Sequence, residues 1–128
     1  MQTLMLLLSN KTEGEKQFNI CDISYCESNN TKIHFWFRDR TCFTVTGNLS
    51  DFETILEPYG FHRLQQSYLI NINHVDCVRR SDKTVSMKNY ANVEINASRN
   101  SGRWEKFIRV WEKRAMRVQK LSKSKIQV

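Results

Sequence analysis

Proline and glycine are scarce in this chain, with one Pro and four Gly in 128 residues. That leaves little room for long linkers, and the length suits one ordinary domain plus a tail, enough to bury a core without covalent staples. Long hydrophobic runs are absent as well. The apolar opening "LMLLL" at residues 4–8 is too short for a membrane span and lacks both a basic leader and a cleavage site, so it reads as a buried strand. Metal-ligand spacing is missing too. Cys21, Cys26, Cys42 and Cys77 make no C-x-x-C pair and the histidines no H-x-x-x-H pair, which supports neither a zinc site nor a redox motif. Reduced thiols in a cytoplasmic protein are the expectation.

Catalytic constellations are equally thin. His34, His62 and His74 stand apart from any nucleophile or metal partner, and no glycine-rich phosphate loop occurs. The sequence therefore reads as a non-enzyme with no catalytic residues, no metal site and no cofactor.

Charge is present, and its distribution is uneven. The chain carries a formal +7, with 40% hydrophobic and 26% charged residues, proportions that exclude wholesale disorder. Residues 101–128 hold nine basic and two acidic side chains, which accounts for the whole net charge, while residues 1–100 hold eleven of each. A neutral body with a basic end suits an acidic partner, nucleic acid first and an anionic membrane surface second.

Periodicity gives a mostly β body. "NKTEGEKQ" reads as a polar loop after the first strand. In "KIHFWFRDR", Ile33, Phe35 and Phe37 alternate with His34, Trp36 and Arg38, and Arg38 to Thr41 read as a hairpin connection into Phe43 and Val45. The period then changes: Leu49, Phe52, Ile55 and Leu56 recur at helical spacing, with Ser50 and Glu53 as a capping box and Pro58 and Gly60 as the stop. From Ser67 the chain alternates again, with Tyr68, Ile70 and Ile72 on one face of a half-buried strand. Val85 and Met87 go out and Val93 and Ile95 return, with turn chemistry across residues 89–92. From Ser101 the spacing of Trp104, Phe107, Ile108, Trp111, Ala115 and Val118 predicts a basic amphipathic helix docked by its two tryptophans, and "SKSKIQV" reads as its fraying end.

Three polar clusters fall in loops or at strand ends: "SNNTK" (residues 28–32), "QQS" (residues 65–67) and "ASRNSGR" (residues 97–103). Loops on a rigid β scaffold project such side chains with little reorganisation. Gln and Asn match the N6 and N7 positions of adenine, Arg matches O6 and N7 of guanine, and Ser with main-chain amides suits phosphates. Each cluster alone is also ordinary turn or surface chemistry; together with the basic end they point to nucleic acid.

These residues carry a resemblance. "F-x-R-x-x-x-S-Y-L-I-N" (Phe61, Arg63, Ser67, Tyr68, Leu69, Ile70 and Asn71), with "D-I-x-Y-x-E-S" upstream and "S-R" downstream, resembles the LytTR-type DNA-binding domain, the output domain of many bacterial response regulators. The likeness covers roughly residues 3–110. It implies a mainly β fold of about ten short strands, one short helix in the body and a C-terminal amphipathic helix. The chain then divides into a DNA-binding domain at residues 1–110 and a basic helical tail at residues 111–128, the tail being more basic than the resemblance requires. Duplex DNA would be the partner, read by loops in successive major grooves, with two copies on paired direct repeats, a homodimer on DNA, and a receiver or sensor domain upstream if the chain is a fragment. By position, Gln66 and Arg99 are the implied base readers, with Lys32 or its neighbour Thr31 as the third. Thr31, Ser67, Ser98, Asn100 and Arg103 are the implied backbone contacts.

The chain departs from that pattern where the family commonly has His followed by a basic or amide residue; here stand Gln65 and Gln66. An amide in place of a basic group weakens backbone attraction and favours adenine. Two other readings stay open at this point. A small β domain binding RNA or single strands would stack bases on Trp36 and Tyr90, and a protein-interaction or membrane-surface module would use the helix from Trp104 to Trp111.

Overall fold

The computed structural model describes residues 4–98 and 102–115. Within them lie ten strands and two α-helices in three antiparallel sheets, the mainly β architecture that the alternation predicts. Strands β1 (Met5–Asn10) and β2 (Gly14–Asn19) form a hairpin of their own. A five-stranded sheet follows in the order β5-β4-β3-β7-β6, built from β3 (Ile23–Asn29), β4 (Lys32–Phe37), β5 (Cys42–Thr46), β6 (Phe61–Gln65) and β7 (Tyr68–Asn71). Strands β8 (Val75–Arg79), β9 (Thr84–Met87) and β10 (Tyr90–Asn96) make the third sheet. Helix α1 (Leu49–Leu56) bridges β5 and β6, and α2 (Arg103–Lys113) follows β10.

The five-stranded sheet is covered on both faces. Ile23, Cys26, Ile33, Phe35, Phe37 and Leu69 pack with Leu49 and Leu56 of α1 and Leu8 of the first hairpin. Phe18 of that hairpin stacks on Phe37 at 4.7 Å between ring centroids. On the opposite face Tyr25, Leu64 and Ile70 pack with Val75, Val85, Met87 and Ile95 of the third sheet and with Trp104 and Phe107 of α2. Adjacent residues of one strand thus enter different clusters, as period-two geometry requires. Strand β7 is therefore covered on both faces and not half-buried: Leu69, Ile70 and Asn71 are all buried. The Asn71 amide is satisfied there by donating to the Ile23 carbonyl at 3.0 Å.

Several local expectations need correction. Only one face of "LMLLL" is covered, with Leu8 buried while Leu4, Met5 and Leu7 stay exposed, because a two-stranded hairpin packs on one side only. The second half of "NKTEGEKQ" opens strand β2; its polar side chains face solvent while its backbone pairs with β1. Helix α1 is capped by Asn48, whose side chain accepts from the Ser50 amide at 2.8 Å, so Ser50 lies inside the first turn. Ile55 faces solvent. Helix α1 stops through a 3-10 turn at Glu57–Tyr59 and Gly60, whose φ of +94° suits a residue without Cβ. The β9–β10 hairpin turns at Lys88 and Asn89, with Asn89 left-handed, so residues 90–92 already belong to β10. Gln65, as the last residue of β6, takes the strand-end placement expected for its cluster. The amphipathic helix is present as α2, with Trp104 and Phe107 buried and Trp111 half-buried. Val118 and "SKSKIQV" lie outside the described residues.

Candidate nucleic-acid interface

Strand ends and turns from different parts of the chain converge at one end of the five-stranded sheet. Ser28, Asn30 and Thr31 come from the β3–β4 turn, Gly47, Asn48 and Ser50 from the entry to α1, and Arg63, Gln66 and Ser67 from the β6–β7 hairpin. Together they line an open, largely polar concavity of about 500 Å³. Two of the three polar clusters, "SNNTK" and "QQS", thus meet at one rim, and the left-handed Asn30 (φ +56°) makes the tight turn between β3 and β4.

Main-chain hydrogen bonds fasten these turns together. The Gly47 amide donates to the Thr31 carbonyl at 2.9 Å, and the Ser28 amide to the Ser67 carbonyl at 2.8 Å. The Arg63 guanidinium donates to Ser50 Oγ at 2.9 Å, to Glu53 Oε1 at 3.1 Å and to the Gln66 carbonyl at 2.6 Å. One nearly buried fork therefore joins α1 to the β6–β7 turn. Gln66 itself is exposed and Ser67 half-buried, so their side chains sit at the rim on a fixed backbone.

The other implied contacts are placed differently. Lys32, exposed at the start of β4, donates to Thr46 Oγ1 at 3.0 Å and lines a second hollow with Asn10, Lys11, Glu13 and Thr44 near the β1–β2 turn. Thr31 and Lys32 thus point into different hollows, although they are adjacent. Ser98 is half-buried, and its amide donates to the Leu64 carbonyl at 2.9 Å, which brings the end of β10 beside the β6–β7 hairpin. Arg103 opens α2 and is half-buried. Arg99 and Asn100 lie outside the described residues.

Sequence reasoning passed over Asn48, Ser50 and Arg63 as parts of this rim. Arg63 stood in the recognised motif with no role. Its signal was a lone basic residue in an otherwise uncharged strand, spaced to reach both the turn after it and the helix before it.

Residues 14–103 match the family model of the LytTr DNA-binding domain. The chain belongs to the LytTr DNA-binding domain family. A solved LytTr DNA-binding domain, from a protein described as a methyl-accepting/DNA response regulator of Bacillus cereus, is similar in structure. The two share 20% identity at a TM-score of 0.62, over 88% of this chain and 96% of that one, a likeness that establishes the fold. No curated protein matches the chain.

A LytTr domain is a DNA-binding module and not an enzyme, and the three histidines of this one have structural partners. His34 shares a 2.7 Å hydrogen bond with Thr44 Oγ1, His74 Nε2 meets the Cys21 carbonyl at 2.6 Å, and His62 packs edge-on against Phe107. Burial, then the Lys106 charge, lowers the His62 pKa below the usual imidazole value. Trp36 and Tyr90 belong to an aromatic cluster with Tyr25. Trp36 Nε1 donates to Glu27 at 3.2 Å, and the Tyr90 hydroxyl donates to the Phe37 carbonyl. Burial pushes the Tyr90 phenol up to about 12. Tyr90 is buried and Trp36 half-buried, so Tyr90 at least offers no open face for stacking a base. Among the described residues no helix is long and apolar enough to cross a membrane, and no group of three His, Cys, Asp or Glu side chains is placed to hold a metal ion.

Proposed function

We propose that this LytTr domain binds duplex DNA sequence-specifically as the output module of a bacterial transcription regulator in the cytoplasm, with its loops entering the major groove. The observation that carries this reading is the convergence of the β3–β4 turn, the α1 entry and the β6–β7 hairpin on one polar rim, cross-fastened by Arg63. A rigid rim of short polar side chains reads base edges at little entropic cost, because the ordering has been done in folding. Gln66, Lys32 and Arg99 are the proposed base readers, and Thr31, Ser67, Ser98, Asn100 and Arg103 the backbone contacts. The basic segment from residue 103 onward supplies salt-dependent affinity, in a chain divided as a domain at residues 1–110 and a basic tail at residues 111–128.

Occupation of paired direct repeats by two copies, and an upstream receiver or sensor domain, belong to the same proposal. Lys32 is set apart from Gln66 in a separate hollow, which suits contact with a different part of the site. Selection of bound sequences from a random duplex library tests the whole reading. The expected outcome is an enriched motif repeated in direct orientation. Recovery of unenriched duplex, or of single strands in competition with duplex, overturns it.

A further inference from the structure

Gln65 has no partner in the proposed base reading, yet the structure gives its side chain a definite task. Its amide Nε2 donates to the main-chain carbonyl of Asn96 at 2.7 Å, across 31 positions of sequence. Asn96 is the last residue of β10, three positions before Arg99. Beside it, the Ser98 amide donates to the Leu64 carbonyl and the Ala97 amide to the Lys83 carbonyl, each at 2.9 Å.

The β6 backbone is shaped for this. Its register against β7 runs Phe61↔Asn71, His62↔Ile70 and Arg63↔Leu69, then jumps to Gln65↔Tyr68 and skips Leu64. A bulge of this kind turns side chains away from regular alternation and releases a carbonyl from the ladder. Here Leu64 enters the core beside α2, its carbonyl takes the Ser98 amide, and Gln65 reaches the end of β10. Arg63, on the other side of the bulge, grips the Gln66 carbonyl. Residues 63 to 65 therefore fasten the β6–β7 turn to α1 on one side and to the exit from β10 on the other.

We propose that Gln65 is a positioning residue: it touches no base, and it sets the separation between Gln66 and the end of β10, the strand that leads in sequence to Arg99, by tying the β6–β7 hairpin to Asn96. The inference rests on the proposed reading of duplex DNA and names the residue that couples two of its contact segments. An amide suits the role because it donates to a carbonyl without carrying charge. A glutamate of the same shape has no donor and would face the Asn96 carbonyl as an acceptor.

Gln65→Glu, Gln65→Ala and Gln65→Lys separate the possibilities, the last keeping a donor of similar reach. In DNA-free protein, the Glu and Ala variants should exchange the Ala97 and Ser98 amide hydrogens roughly three- to ten-fold faster, while the lysine variant stays near wild type. On the preferred duplex, the ratio of specific to random-sequence affinity should fall by roughly three- to ten-fold in the Glu and Ala variants and recover with Lys. In an Arg99→Ala background the Gln65→Ala loss should largely vanish, since nothing remains for it to position. Unchanged exchange at Ala97 and Ser98 overturns the tether. Faster exchange with an unchanged affinity ratio, or full additivity with Arg99→Ala, overturns its role in DNA reading. A wild-type protein with no duplex preference overturns the functional reading itself, and this inference with it.

Discussion

The Arg63 side chain donates to the main-chain carbonyl of Gln66 at 2.6 Å, so a residue of strand β6 closes back over the turn that the strand enters. The same guanidinium holds Ser50 and Glu53 of α1, and its side chain is only 10% exposed. Removing it leaves Glu53 partly buried without its partner and frees the turn. Arg63→Met should therefore destabilise the fold by about 2 to 4 kcal/mol. Arg63→Lys, which keeps the charge and loses the fork, should recover less than half of that. Urea unfolding checks both, and an Arg63→Met midpoint equal to wild type would refute the clasp.

Base reading and backbone contact predict different patterns of loss. Gln66→Ala and Arg99→Ala should each cost about 1 to 3 kcal/mol on the preferred duplex and little on random sequence, with the Gln66 effect concentrated at an adenine. Ser67→Ala should weaken both duplexes alike. Titrations at one fixed salt concentration distinguish these, and an equal loss for Gln66→Ala on both duplexes reduces it to a backbone contact.

The basic end can be tested without disturbing α2. Glu112 is ion-paired with Arg80, and Arg114 donates to Asn73, so a deletion should begin after Ala115. Residues 116–128 contain Arg117, Lys120, Lys123 and Lys125 and no acidic residue. Their removal should weaken specific and non-specific binding together and make the plot of log K against log salt shallower by roughly 1 to 4, at about 0.9 for each phosphate no longer neutralised. An unchanged slope means that the segment meets no phosphate.

How far the sequence could be read follows from the range of each signal. Alternation in Ile33, Phe35 and Phe37 is a local signal of one buried face, and the strand, its hairpin and its core residues follow from it directly. Leu69 and Ile70 mislead the same reasoning, because burial on both faces depends on a third sheet and α2, which come later in the chain. Ser50 and Glu53 match a capping box, yet Asn48 two residues earlier takes the cap and leaves Ser50 to Arg63. The position of Gln66 and Ser67 at the start of the β7 hairpin was legible through the motif around them. The partners of Gln65 and Arg63 were not, since bonds to Asn96 and Ser50 join segments 31 and 13 positions apart and rely on a bulge with no residue signature of its own.

Docking of α2 carries a pH dependence whose sign is fixed by His62. Its ring lies 5.6 Å from Phe107, edge-on, at the contact between β6 and α2. Burial is the main cause of its lowered pKa, with the Lys106 and Arg114 charges acting in the same direction and Glu57 against them. The unfolded chain therefore takes up a proton first, near the ordinary imidazole value of about 6.5, while the folded form stays neutral to lower pH. The contribution is fully present above about pH 6.5 and is lost as pH falls from there through the folded-state value. Wild-type protein should lose more stability than His62→Gln between pH 7.5 and pH 5, because carboxylate titration is common to both and cancels in the difference. Chemical unfolding at the two pH values measures it, and parallel losses in the two proteins would show that His62 protonation is not coupled to folding.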